Sequence, residues 1–275
     1  MLYATAGEGT RRSNRDQAGF ARSDGLSIHF EHRGEGPAIV LMHGWSASTR
    51  TNWEAPGWIE RLRPLRRVVG VDVRGHGASD KPHEQSRYGY AAMAHDVLAV
   101  MDHLEIERAD FVGHSLGAFS GVHLLGHHSD RFGAFVLMGI GDETPESLAV
   151  LPVITEALRA ASPEAIEDPI GRAYRGIVDG DPRNDREALA LAALQMWPEG
   201  FPLELGGPGL GRTDNPVLVL NGSDDRPYVE SDERLVAAIP GARLSRIPGA
   251  DHLGPVLDPR FQDAAAVFLA EAAPR

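Results

Sequence analysis

Residues 109–118 read Ala109-Asp110-Phe111-Val112-Gly113-His114-Ser115-Leu116-Gly117-Ala118, a short apolar run that ends in Gly-x-Ser-x-Gly. A helix-like stretch carries on to Leu125. A serine at so sharp a passage from strand to helix is held in strained backbone, with neighbouring chain passing close by. Glycines two residues before and after it remove the side chains that would clash. The hydroxyl then projects above the sheet, while the helix behind it offers unpaired backbone N–H groups and the positive end of its dipole. The pentapeptide alone is common. The strand before it and the helix after it make it specific, and they make the plain reading of Ser115 as a surface hydroxyl a poor one.

Similar apolar runs recur along the chain. Residues 38–42, 68–73, 134–140 and 217–220 are continuously apolar or nearly so, as strands buried on both faces of a parallel sheet must be. A weaker run covers 243–247, and Leu26, Ile28 and Phe30 alternate with polar residues like a strand with one wet face. Helical spacing lies between the runs, at Tyr90, Met93, Val97, Val100 and Leu104, and again over 229–239 and 261–270. This alternation predicts an α/β fold with a mostly parallel sheet flanked by helices. The rhythm breaks between Ile140 and Val217. Helix-like patterns at 148–160 and 186–197 are punctuated there by Pro163, Pro169, Pro182, Pro198 and Pro202. So long a structureless loop would be unusual in a compact domain, so residues 142–211 read as a mainly helical cap inserted after the run at 134–140. The core is then 23–141 with 212–275, and residues 1–22 read as a polar N-terminal extension.

Composition narrows the chemistry. The chain has 275 residues, 42% apolar and 24% charged, and 27 Lys+Arg against 39 Asp+Glu give a net charge of −12. Such a chain repels phosphate backbones and lacks the basic surplus that draws proteins to anionic lipid, so neither nucleic acid nor membrane is an expected partner. There is no cysteine, which excludes disulfides, thiolate metal sites and a Cys nucleophile. No apolar run approaches the ~20 residues that a bilayer requires. Arg11-Arg12 is followed by polar residues and no apolar leader, so the expected location is cytoplasmic. His127-His128 and Asp224-Asp225 do not have spacings that converge on an ion, so no metal is expected. The oligomeric state is not legible.

Four further segments join the serine motif. Val40-Leu41-Met42-His43-Gly44-Trp45 is a strand followed by His-Gly-x, and Val71-Asp72-Val73-Arg74-Gly75-His76-Gly77-Ala78-Ser79-Asp80 is a Gly-punctuated turn. Val217-Leu218-Val219-Leu220-Asn221-Gly222-Ser223-Asp224-Asp225 ends a strand in Gly-x-x-Asp, and Pro248-Gly249-Ala250-Asp251-His252 follows the last strand. Together these resemble the α/β-hydrolase fold family, and the order Ser, Asp, His is the order of that family. The resemblance implies Ser115 as nucleophile, His252 as general base and Asp225 as the acid that orients it. It implies an oxyanion hole from the backbone N–H groups of Trp45 and Leu116. Asp142, after Ile140-Gly141, is the alternative acid, because some members place it there; Asp224 ranks behind it. His43, His114 and Trp197 are candidates for the substrate pocket. The plainer readings are that His43 bonds neighbouring backbone, that His114 packs under the serine turn, and that Trp197, Met196, Leu148, Leu151 and Ile154 form the insertion's own core. The resemblance implies a mainly eight-stranded sheet with the cap inserted after strand 6, and no cofactor.

The expected activity is that of a serine hydrolase. A small to medium acyl substrate, held as an ester, thioester or lactone, would be cleaved through an acyl-enzyme. Carbon–carbon bond hydrolysis, acyl transfer and perhydrolysis use the same serine motif and stay open. Epoxide and haloalkane hydrolysis in this fold use an Asp nucleophile, against which Ser115 argues. From another class, a non-catalytic receptor could use the same pocket to bind a ligand.

Overall fold

The computed structural model describes residues 16–142, 150–196, 202–226 and 228–272. Its centre is an eight-stranded sheet in the order β1-β2-β4-β3-β5-β6-β7-β8. The strands are β1 (Asp16–Ser23), β2 (Leu26–Arg33), β3 (Ala38–Met42), β4 (Arg67–Asp72), β5 (Ala109–His114), β6 (Phe132–Met138), β7 (Val217–Gly222) and β8 (Arg243–Ile247). β1 pairs antiparallel with β2, and β2 antiparallel with β4; every pairing from β4 to β8 is parallel. The chain runs from β3 to β4 on one side and then crosses back to β5 on the other. In such sheets, ligands bind outside the carboxyl ends of the strands where the winding direction reverses. Here that point lies between β3 and β5, the strands that lead into Trp45 and Ser115.

Helices cover both faces: α1 (Trp58–Leu62), α2 (Tyr90–His103), α3 (Leu116–His127), then, after the cap, α8 (Asp232–Ala237), α9 (Gly254–Leu257) and α10 (Pro259–Ala272). The period of two is visible even in β3, all of whose central side chains are buried. Val40 and Met42 join one apolar cluster with Phe111, Val122 and Leu137. Ile39 and Leu41 join another with Val112, Val136, Trp53, Trp58 and Phe261. Removing each such side chain from water contributes roughly 1.5–3 kcal/mol.

The insertion after β6 is helical where it is described: α4 (Val150–Arg159), α5 (Pro169–Asp179), α6 (Arg186–Met196) and α7 (Pro202–Gly206). Ile154, Leu158, Val178, Leu189 and Ala190 form its own small core. Between residues 188 and 194 α6 carries no polar side chain. Leu189 and Ala190 point into the cap, while Ala188, Leu191, Ala192, Ala193 and Met196 join the main core. A helix apolar all round is one buried on both sides. α7 docks on α3 so closely that a Cβ on Gly126 would overlap the carbonyl of Gly206.

The N-terminal boundary differs from the sequence expectation. Residues 16–22 belong to the sheet rather than to a polar extension, since β1 pairs along its length with β2 from Asp16↔Arg33 to Ser23↔Leu26. As an edge strand it buries only Ala21 and Ser23, so its sequence carries almost no apolar signature. Residues 1–15 lie outside the described residues.

Candidate active site

β5 ends at His114 and α3 begins at Leu116, so Ser115 alone makes the turn. Its φ of 51° and ψ of −116° are rare for a residue with a side chain and cost on the order of 1–3 kcal/mol. The surroundings enforce them. A Cβ on Gly113 would lie 2.5 Å from the carbonyl carbon of Gly117, and one on Gly117 would collide with the Met42 carbonyl. The Ser115 N–H donates to the Met138 carbonyl at 2.8 Å, and the Ser115 carbonyl accepts from Ala118 and Phe119 at 2.7 and 3.0 Å. Leu116 is the first residue of α3, so its N–H is among those an α-helix leaves without an internal partner.

The structure brings Ser115, His252 and Asp225 together from the ends of β5, β8 and β7. His252 Nε2 lies 3.0 Å from Ser115 Oγ, and Nδ1 lies 3.0 and 3.2 Å from the two oxygens of Asp225. One tautomer satisfies both ends: Nδ1–H donates to Asp225, and Nε2 accepts from the serine hydroxyl. The Asp225 side chain is wholly buried, whereas that of His252 is 33% exposed. Gly139, at φ 64°, leaves the room this ring occupies, since a Cβ there would sit 3.0 Å from His252 Cε1. Tyr228 stacks on the imidazole with ring centres 4.9 Å apart and planes 22° apart, and His114 tilts against it at 5.2 Å.

The competing acids are engaged elsewhere. Asp142 is buried, pairs with Arg234 on α8, and accepts the Leu203 N–H of α7 at 3.3 Å. Asp224 is exposed and accepts from Ser223 Oγ, and Asp251 accepts the Leu253 N–H at 2.9 Å.

His43 and His114 are buried beneath the site rather than open to it. Burial holds His43 below the usual histidine range; its Nδ1–H donates to the Gly44 carbonyl at 2.8 Å and its Nε2 accepts the Val73 N–H at 3.3 Å. Burial, reinforced by the neighbouring His252, pushes His114 down to about 3. The neutral ring has one proton to offer, with the His252 carbonyl 3.0 Å from Nε2 and Asn52 Oδ1 3.2 Å from Nδ1. Trp197 and Leu148 lie outside the described residues. Ile154 belongs to the cap's own core and Met196 to the main core, while Leu151 is partly buried against both. Among the described residues no group of three or more His, Asp or Glu is arranged to hold a metal ion.

Several supporting residues carry no motif. Asn52 Oδ1 accepts the Gly44 N–H at 3.1 Å. Asn221 Oδ1 accepts the N–H groups of Gly139 and Ile140 at 3.0 and 3.2 Å, fixing the exit of β6. A polar residue closing the apolar run of β7 was the available signal for Asn221; nothing in the sequence marks Asn52 or Tyr228. The Asp72 turn is structural. Asp72 accepts the N–H groups of Thr49 at 2.7 Å and Ala78 at 3.0 Å. Burial alone would raise its pKa, but these bonds and that from His29 outweigh it and hold the carboxyl below its ordinary range.

Residues 37–175, just over half of the chain, match a family model described as alpha/beta hydrolase fold. The chain belongs to that family. An uncharacterized protein of Mycobacterium tuberculosis is 34% identical over 144 residues, which cover 50% of this chain and 41% of that one, so the chain matches less than half the length of that relative. An esterase of Escherichia coli strain K12 is 28% identical over 78% of this chain and 85% of its own. Among solved structures, the enol-lactonase of Burkholderia xenovorans LB400 superposes with a TM-score of 0.75 at 27% identity, covering 91% of this chain and 99% of that one. The chain is thus similar to one relative described as an esterase and to another described as an enol-lactonase.

Proposed function

We propose that the protein is a serine hydrolase that cleaves an ester, thioester or lactone of a small to medium acyl substrate. The observation that carries this reading is the continuous chain Ser115 Oγ, His252 Nε2, His252 Nδ1, Asp225, built on a strained turn. As Ser115 Oγ attacks the carbonyl carbon, His252 takes its proton and Asp225 stabilises the imidazolium. The negative charge on the acyl oxygen is met by the N–H groups of Trp45 and Leu116, each worth roughly 3–4 kcal/mol in comparable sites. His252 then protonates the leaving group. Water, deprotonated by the same ring, releases the acid and restores the serine hydroxyl. The similarity to an esterase and an enol-lactonase supports an oxygen ester or lactone as the substrate class.

A fluorophosphonate probe together with p-nitrophenyl acetate tests this. Labelling is expected at Ser115 alone, and Ser115→Ala is expected to abolish both labelling and turnover. Retention of either in that variant, or a wild-type chain that does neither, overturns the reading.

A further inference from the structure

The loop that carries the proposed oxyanion donor is held by two different parts of the molecule. Its ends are fixed by the core. The Gly44 N–H donates to Asn52, the Gly44 carbonyl accepts from His43 and from the Ala47 N–H at 3.2 Å, and the Thr49 N–H donates to Asp72. A Cβ on Gly44 would lie 3.2 Å from His114 Nδ1, which sets this end against the serine turn. In a planar trans peptide the N–H points opposite to the carbonyl. With the Gly44 carbonyl drawn back toward His43, the Trp45 N–H faces the other way.

The middle of the loop is gripped by the cap. The Trp45 indole N–H donates to the Leu189 carbonyl of α6 at 3.2 Å, and its ring meets Tyr174 of α5 with centres 5.9 Å apart. Asn184 Nδ2, in the turn between α5 and α6, donates to the Ser46 carbonyl at 3.4 Å and also to the Val178 carbonyl at 3.1 Å. Arg183 donates to Ser48 Oγ at 3.2 Å. Ser46 has a φ of 61°, a conformation unfavourable for a residue with a side chain, and it sits at the centre of this grip.

We propose that the α5–α6 turn of the cap is a template for the oxyanion loop, with Asn184 and the Trp45 indole as positioning residues that aim the Trp45 N–H at the acyl oxygen. This rests on the assignment of Ser115 and Trp45 above. It gives the cap a part in the chemistry itself, separate from any contact with the acyl chain. Loosening the α5–α6 turn alone, with α6 still seated on the main core, would leave Ser115, His252 and Asp225 in place and would degrade the stabilisation of the oxyanion.

The test uses the smallest acyl group, in p-nitrophenyl acetate, and a methyl trifluoromethyl ketone, whose adduct with the serine places an anionic oxygen in the same hole. Asn184→Ala and Trp45→Phe are each expected to lower kcat about three- to tenfold, less than the ~100-fold cost of deleting an oxyanion donor, with KM within about twofold. Each should weaken the ketone by the same factor as kcat. The double variant should lose less than the product of the two, because both act on one loop. Unchanged kcat, or a raised KM with undiminished affinity for the ketone, would overturn the proposal and leave an ordinary packing contact. Should Trp45→Phe fail to fold, Asn184→Ala decides the matter alone. Failure of the hydrolase reading would look different, as a wild-type chain with neither turnover nor labelling.

Discussion

β6 and β7 are neighbouring parallel strands, and each delivers a wholly buried aspartate just past its carboxyl end: Asp142 after β6 and Asp225 after β7. The sequence contexts are alike, an apolar strand, a glycine and then the acid. The partners are not. Asp225 meets an imidazole that reaches on to a serine, whereas Asp142 meets a guanidinium and a backbone N–H of the cap. Position at the end of a strand therefore does not assign a role to a buried carboxylate. What lies opposite it does.

The largest effect should come from Asp225→Asn, which keeps the size but removes the charge that stabilises the imidazolium and favours the wrong tautomer. Turnover on one fast ester should fall by roughly 10³–10⁴ with Tm little changed. Tyr228 sharpens the contrast, because only the β7 acid serves a ring stacked by an aromatic neighbour. Tyr228→Ala should lower kcat about three- to tenfold, as expected for the loss of one aromatic pair, and Tyr228→Phe should recover most of it. Asp142→Asn retains an acceptor for the Leu203 N–H and gives up an ion pair with a partner side chain that is 65% exposed. Solvent screening limits that pair to about 1 kcal/mol, so Tm should fall by roughly 2–4 °C while Ser115 still labels at a near-native rate. A crippled Asp142→Asn beside a healthy Asp225→Asn would invert the comparison.

How far these roles were legible follows from distance along the chain. The strands buried on both faces declare themselves in apolar runs, and Ser115, Asp225 and His252, the proposed nucleophile, acid and base, each sit in a short local pattern. β1 does not, since an edge strand needs few apolar side chains. α5 is marked less by its apolar residues than by Asp168-Pro169, where Asp168 caps the helix by accepting from Ile170 and Gly171 at 2.8 and 3.0 Å. The resemblance ranks Asp225 ahead of Asp142, but what Asp142 does instead was not legible, because Arg234 and Leu203 are both far from it in the chain. The same holds for Asn184 against Ser46, |i−j| = 138. Contacts of that kind follow from the finished fold and leave no spacing to read.

The smallest expected effect concerns the other attachment of α7. His127 Nε2–H donates to the Leu205 carbonyl at 3.0 Å, and His123 packs against His127 with ring centres 4.5 Å apart. Burial, with repulsion from His127 and His128, pushes His123 down to about 4. Its folded value is below the unfolded one of about 6.5, so the unfolded chain binds more protons in between, and stability should fall as pH drops from about 6.5 toward 4. A series of Tm measurements across that window should show this loss, and His123→Gln should reduce it, with the buried His43, His76 and His114 supplying the remainder. If Asp142→Asn reduced it equally, the two attachments of α7 would be one.

α6 has a bearing on protein engineering. Exchanging caps between relatives is an attractive way to transplant substrate preference, and it treats the insertion as a detachable module. The outward-looking residues of α6 in this chain are few, and its inner side is part of the main core through Ala188, Leu191, Ala192, Ala193 and Met196. A chimaera cut at the two ends of the insertion would therefore replace one wall of the host's own interior. A graft that keeps its donor's α3, with Gly126 seated against Gly206, carries the matching surface with it; one that does not presents the new cap to a floor shaped for another.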